Sequence, residues 1–236
     1  SYVGASNLTK SPLPWLKNGT ENMKNNYIPG IFAMATVVVA SNILVQYLLG
    51  DWLTWGAFTY PVAFLITDVM NRVYGVSAAR RVVFAGFVVG ILCSLIGTQI
   101  MLQGDGYTFP AVTLRVAIGS GTAFLVAQLL DVQIFDRLRD GSWWRAPLAS
   151  TLIGSALDTF LFFSISFSTV FNGLETANIP DWAQGAVPLL GAGPELPLWA
   201  SLAVADWMVK LTLALIALAP FRMLVLYLVG RSTKNH

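Results

Sequence analysis

The chain has 236 residues, 56% of them hydrophobic and 11% charged, with a formal net charge of +2 and a mean hydropathy of +0.65. Soluble domains carry about 25% charged residues, so this composition excludes a disordered chain and a soluble globule with a polar exterior. It points to a helical integral membrane protein with room for about six spans of roughly 20 residues, and so small a net charge gives no sign of a nucleic-acid partner.

Residues 1–26 are a polar tail containing Lys10, Lys17 and Lys24, predicted to be cytoplasmic. No small-residue cleavage site follows the first apolar run, so the tail is not read as a signal peptide. Met23-Lys24 is a candidate native start. Asn7-Leu8-Thr9 and Asn18-Gly19-Thr20 match the glycosylation pattern but carry little weight in a cytoplasmic tail.

Six spans follow, over Tyr27–Leu49, Thr54–Tyr74, Arg81–Leu102, Thr113–Phe135, Ala146–Val170 and Leu198–Val229. They make a membrane domain of residues 27–230, with 231–236 as a short cytoplasmic tail. The sixth run is longer than a bilayer requires at about 1.5 Å per residue, so it tilts, kinks near Pro220 or protrudes. These are continuous apolar runs rather than alternating segments, which excludes a β-barrel. The predicted fold class is all-α, a polytopic six-transmembrane-helix bundle.

Basic residues fall on one set of loops: Arg72, Arg80 and Arg81 after span two, Arg137, Arg139 and Arg145 after span four, Arg231 and Lys234 after span six. The alternate loops hold Asp51, then Asp105 and Arg115, then Glu175, Asp181 and Glu195. By the positive-inside rule both termini are cytoplasmic. The longest outer loop, Asn172 to Pro197, reads either as a solvated connector or as an acidic entrance.

Cys93, the single cysteine, allows no intramolecular disulfide and reads as a packing residue. The single histidine, His236, is the last residue. Histidine catalysis and histidine-ligated metal are therefore unsupported; no catalytic residue, metal site or cofactor is predicted.

Ionisable groups inside a membrane are expensive, about 2.5–3.5 kcal/mol each on insertion scales, and mark pathways or pairs. The candidates are Asp68, Asp131, Asp158, Asp206 and Lys210, with Asn42, Gln46, Asn71, Gln99 and Gln128 as uncharged companions. Asp206 and Lys210 are spaced i, i+4 and share a helix face, as an internal ion pair or as groups meeting a substrate or another span. Asp68 and Arg72 have the same spacing and read as a pair at the cytoplasmic edge. Asp158 has no basic neighbour on its own helix and needs a partner from elsewhere, a ligand or a proton. Asp131 is either a helix-end residue or the floor of a cavity. Trp52, Trp55, Trp143 and Trp144 suit belt anchoring. Phe160, Phe162 and Phe163 either stack on a flat ligand or face lipid and neighbouring helices. Gly119-Ser120-Gly121 suits close helix packing rather than a phosphate loop.

Several motifs occur in a specific order. Thr54-Trp55-Gly56-Ala57-Phe58 leads to Pro61, Thr67-Asp68, Arg72-Val73-Tyr74-Gly75 and Ala79-Arg80-Arg81. Then come Gln128-Leu129-Leu130-Asp131-Val132, Trp143-Trp144-Arg145-Ala146-Pro147, Ser150-Thr151, Asp158-Thr159, and finally Asp206 and Lys210. From about Ser41 to Pro220 this order resembles the queuosine-precursor transporter family, also called the vitamin uptake transporter family. The resemblance implies a multi-pass protein of the bacterial inner membrane that imports 7-cyano-7-deazaguanine, 7-aminomethyl-7-deazaguanine or both. It also implies kinship with the substrate-binding subunits of energy-coupling-factor transporters. One departure is Asn71-Arg72, where many members carry Asn-Glu. Span one shows no clear small-xxx-small pair of the kind those subunits use for docking, which favours a transporter that works alone.

The base chemistry fits these residues. A deazaguanine presents adjacent ring N–H and amino donors, which a carboxylate accepts together. Its carbonyl is answered by an amide such as Gln128 or Asn42, and aromatic rings can sandwich its faces. Asp158 is the first choice for the recognition carboxylate, then Asp68 and Asp131; Asp206, Lys210 and Arg72 complete the candidate wall. The competing readings are a binding subunit that needs an energising partner, an intramembrane acid-dyad enzyme, and a structural membrane protein whose charges are mutual pairs. A homodimer is left open.

Overall fold

The computed structural model describes residues 27–44, 48–49, 53–104 and 106–234. The N-terminal tail with its lysines, Gln46, Asp51, Trp52, Asp105 and His236 lie outside the described residues, as do the side chains of Arg231 and Lys234. Among the described residues the chain forms six α-helices: α1 Ile28–Leu44, α2 Tyr60–Tyr74, α3 Val76–Gln99, α4 Leu114–Leu138, α5 Arg145–Phe167 and α6 Leu198–Lys234. Three antiparallel two-stranded ribbons connect helices: β1 Leu48–Leu49 with β2 Leu53–Thr54, β3 Met101–Gln103 with β4 Thr108–Pro110, and β5 Ala186–Pro188 with β6 Glu195–Pro197.

The architecture is the expected all-α membrane bundle. Helices α3 to α6 are long and apolar enough to cross a membrane. Helix α1, of 17 residues, and α2, of 15, are shorter. At about 1.5 Å per residue, α2 covers less than the roughly 30 Å hydrocarbon core. Its start explains the difference from the predicted Thr54–Tyr74 span. Pro61 occupies the first turn, where its missing N–H is harmless but its ring opposes further helix on the N-terminal side. The chain before it takes a 3-10 turn, Trp55–Phe58. Helix α6 runs unbroken through Pro220 for 37 residues, although proline leaves the Ile216 carbonyl without its i+4 donor.

Local chemistry sets the other boundaries. Gly75 alone separates α2 from α3 and has φ +87°, a conformation open to glycine at little cost. Thr113 caps α4 by accepting a hydrogen bond from the Val116 N–H at 3.3 Å.

Helix α2 is central and touches all five others, while α4 and α5 make the most extensive pairing. Small residues let these helices approach. A Cβ on Gly154 of α5 would lie 2.9 Å from the Phe64 ring and 3.4 Å from the Ala127 carbonyl oxygen. One on Gly86 of α3 would lie 2.6 Å from Met34 of α1. Met34, Val82 and Val83 form the core between α1 and α3. The outer surface carries Phe84, Ile96, Phe160, Met223 and Leu226, an apolar exterior suited to lipid.

The two ends of the bundle differ. At the basic end, Arg72 donates to the carbonyl of Arg139, and Arg139 donates to the carbonyl of Asn71 at 2.7 Å and pairs with Asp136 at 2.9 Å. Trp143 lies there too, with the Arg222 guanidinium 4.8 Å from its ring centroid. At the opposite end Arg115, only 1% exposed, ties α4 to the end of α5. It donates to the Ile165 carbonyl at 2.6 Å, the Asn172 side chain at 2.8 Å and the Ser168 carbonyl, and its backbone N–H donates to Glu175 at 2.9 Å. The segment from Asn172 to Pro197 holds short 3-10 turns and the β5–β6 ribbon, and Gln184 donates to the Phe167 carbonyl at 2.6 Å.

Candidate functional site

Three polar features lie inside the bundle. The first is a charged cluster between α5 and α6. Lys210 donates from Nζ to Asp158 Oδ2 at 2.8 Å and to Thr159 Oγ1 at 3.1 Å. It also pairs with Asp206 Oδ2 at 2.6 Å. Thr159 donates in turn to Asp206 Oδ2 at 2.8 Å. Lys210 and Asp158 are 3% and 2% exposed, so the ammonium and the carboxylate stabilise each other in place of water. With two carboxylates and one ammonium, the ionised cluster has a formal charge of −1.

The second feature is a half-open cleft among α1, α2, α3 and α4. Its apolar wall includes Phe87 and Phe124, and its polar groups include Ser41, Asn42, Ser94 and Ser120. Tyr60 joins the cleft to the charged cluster: its hydroxyl lies 3.4 Å from Ser120 Oγ and its ring centroid 5.0 Å from Lys210 Nζ. Such a contact suits a cation against the negative face of an aromatic ring.

The third feature is a buried seam shared by α2, α4 and α5. Asp68 accepts from the Ser150 and Thr151 hydroxyls, each at 3.2 Å. Asp131 lies against Asp68 and Ser150, and neither of its oxygens has a hydrogen bond of good geometry among the described residues. Thr67 donates to Gln128 Oε1 at 2.7 Å, and Asn71 donates to the Val132 carbonyl at 3.0 Å. A smaller recess, bounded by Pro147, Ala214 and Phe221, reaches Asp68 and Thr151.

The structure thus divides the sequence candidates into groups. Asp158, Asp206 and Lys210 come together, and the i, i+4 pair on α6 forms as expected. Asp158 obtains its missing partner from α6. Asp68, Asp131 and Gln128 belong to the seam, so Asp131 is buried in the bundle rather than placed at a helix end. Asn42 lines the cleft and donates to the Val38 carbonyl at 2.9 Å. The expected Asp68–Arg72 pair does not form, because Ser150 and Thr151 occupy Asp68 while the Arg72 guanidinium turns to the Arg139 carbonyl. Phe160 points outward, whereas Phe162, Phe163 and Phe167 cluster with Trp182. Sequence reasoning missed Tyr60 and Arg115. Tyr60 stands just before Pro61 with no charged or motif residue to mark it, and Arg115 falls among the loop charges at the start of its span.

Residues 54–225 match the family model described as "Putative vitamin uptake transporter". The chain is similar to the queuosine precursor transporter of Escherichia coli, at 40% identity over 141 residues, covering 56% of this chain and 64% of that protein. It is also similar to a protein of Haemophilus influenzae named probable queuosine precursor transporter, at 35% identity over 185 residues, covering 75% of this chain and 70% of the relative. A Bacillus subtilis protein of the same name is 30% identical over 138 residues, covering 52% of this chain and 60% of its own length. The chain therefore spans somewhat under two thirds of two of these relatives. No solved structure matches it. A match over most of the chain, together with several long apolar helices, makes this a multi-pass bacterial membrane protein that belongs to the vitamin uptake transporter family.

Proposed function

We propose that the protein imports queuosine precursors, 7-cyano-7-deazaguanine and 7-aminomethyl-7-deazaguanine, across the bacterial inner membrane, acting alone as a six-span transporter with both termini in the cytoplasm. The carrying observation is the meeting, at Tyr60, of a cleft with aromatic walls and a buried cluster of two carboxylates and one ammonium. The names of the relatives from three bacteria point to the same substrate class.

A flat base enters the cleft with Phe87, Phe124 and Tyr60 against its faces, which favours stacked aromatic contact. Asn42 and the serines meet its polar edge. Asp158 takes the adjacent ring N–H and amino donors as the Tyr60 ring turns onto the face of the base, since a carboxylate can accept two parallel donors. Asp206 and Lys210 set the charge of that wall, and the net −1 favours the cationic 7-aminomethyl form over the neutral 7-cyano form. Gln128, Asp68 and Asp131 lie deeper, in the seam, and Arg72 braces the basic end.

The test is uptake of both labelled bases into liposomes that contain only this protein, with guanine and biotin as competitors. Saturable uptake, blocked by unlabelled precursor and not by biotin, is the expected result. Tight binding without uptake would mean a binding subunit that needs an energising partner. Neither binding nor uptake would overturn the substrate assignment. Asp158→Asn leaves the Lys210–Asp206 pair in place, so loss of binding in a folded variant is the expected outcome.

A further inference from the structure

The charged cluster is electrically almost complete, whereas the seam is not. Asp68 and Asp131 lie against each other from α2 and α4, and the Ser150 and Thr151 hydroxyls of α5 donate to Asp68. Among the described residues, neither carboxylate forms an ion pair. Lys210 is engaged with Asp158 and Asp206. Arg139 holds Asp136 and the Asn71 carbonyl, and Arg72 holds the Arg139 carbonyl. Arg80 and Arg81 of α3 are exposed, and the α6 residues bounding the recess are apolar. Two ionised carboxylates side by side in a low-dielectric interior repel strongly without a countercharge.

A second observation points to a ligand. Asp131 is fully buried, yet both of its oxygens lack a hydrogen bond of good geometry. Asn71 is also fully buried, and its amide is anchored on the carbonyl of Val132, the residue after Asp131, leaving Oδ1 without a partner among the described residues. Native interiors rarely tolerate such orphaned acceptors, and each calls for a missing partner. The recess that reaches Asp68 and Thr151 supplies an approach.

We propose that Asp68 and Asp131 form a monocation site, filled by a proton or a sodium ion that travels with the substrate. Both ions suit the chemistry: the seam offers carboxylate, amide and hydroxyl oxygens, and either ion removes one unit of unbalanced negative charge. The site lies on the same face of α5 as the charged cluster. Thr151 and Asp158 are seven residues apart, about 11 Å along the helix at 1.5 Å per residue. A rotation of α5 that alters one site therefore alters the other. The cargo role rests on the transport reading above; the cation site itself does not.

The experiment uses the purified full chain. Its melting temperature is measured from pH 5 to 8, and in sodium against choline at fixed ionic strength, for wild type, Asp131→Asn, Asp68→Asn and Asp158→Asn. A ligand that binds only the folded state raises its stability. The expected result is a wild-type melting temperature that rises with proton or with sodium concentration. Asp131→Asn should lose that rise, because its neutral amide stands in for the filled site, and Asp158→Asn should retain it. A flat wild-type response, or one unchanged in Asp131→Asn while that variant remains folded, overturns the site; Asp68→Asn supplies the second arm if Asp131→Asn does not fold. In liposomes, an inward gradient of the same ion should accelerate uptake severalfold in wild type and not in Asp131→Asn. Absence of any wild-type uptake would count against the transport reading, while the melting data would still decide the cation site.

Discussion

Lys210 Nζ stands 2.8 Å from Asp158 Oδ2 across the α5–α6 interface. The same ammonium holds Asp206, so one cation stabilises two carboxylates. Lys210→Met would leave both without countercharge, a loss of about 3–5 kcal/mol for a broken buried pair. Asp158→Asn keeps the Lys210–Asp206 pair and should be much milder. Thermal unfolding in detergent should rank the lysine variant well below the asparagine variant; the reverse order would remove Lys210 as the organising charge.

Arg115 clamps the end of α5 through three acceptors, the Ile165 and Ser168 carbonyls and the Asn172 side chain. Hydrogen bonds to charged groups contribute about 1.5–3 kcal/mol each. Arg115→Ala should lower the melting temperature and expose residues 168–184 to limited proteolysis. Arg115→Lys, which lacks the guanidinium fork, should restore only part of the protection.

Gly154 sits where α5 meets both α2 and α4. In Gly154→Val the new side chain meets the Phe64 ring, the Ala127 carbonyl and Asp131. Overpacking of this kind costs about 1–3 kcal/mol, so the variant should unfold at a lower temperature than Gly173→Val, whose Cβ would meet nothing within 4 Å. Equal melting temperatures would argue against the tight three-helix approach.

Tyr60 separates the cleft from the charged cluster. Its hydroxyl contact with Ser120 is long, at 3.4 Å, so Tyr60→Phe should bind labelled deazaguanine nearly as well as wild type. Tyr60→Ala loses the ring, and an aromatic contact of about 0.5–1.5 kcal/mol predicts up to roughly tenfold weaker binding. Equilibrium dialysis of the two variants would show whether the ring or the hydroxyl matters.

The sequence revealed the bundle because each membrane helix is a continuous apolar run, and it revealed the Asp206–Lys210 pair because helical spacing alone brings those residues together. It could not join Lys210 to Asp158, since that contact depends on how α5 and α6 rotate about their axes. Helical spacing misled at Asp68 and Arg72: both are on α2, but hydroxyls from α5 reached the carboxylate and a carbonyl following α4 took the guanidinium. Arg115 shows a different failure. A charge at the start of a span resembles an exposed loop residue until the following segment folds over it.

Pro220 gives α6 a joint. The Ile216 carbonyl has lost its helical donor, so the helix can bend there with fewer hydrogen bonds to break. Before the joint lie Asp206 and Lys210, the residues that bind α5. After it lies Phe221, packed edge-on against Phe135 of α4 at 6.1 Å. Flexing at this point would swing the charged half toward or away from Tyr60 while the basic half stayed docked, so a single helix serves as both anchor and lever.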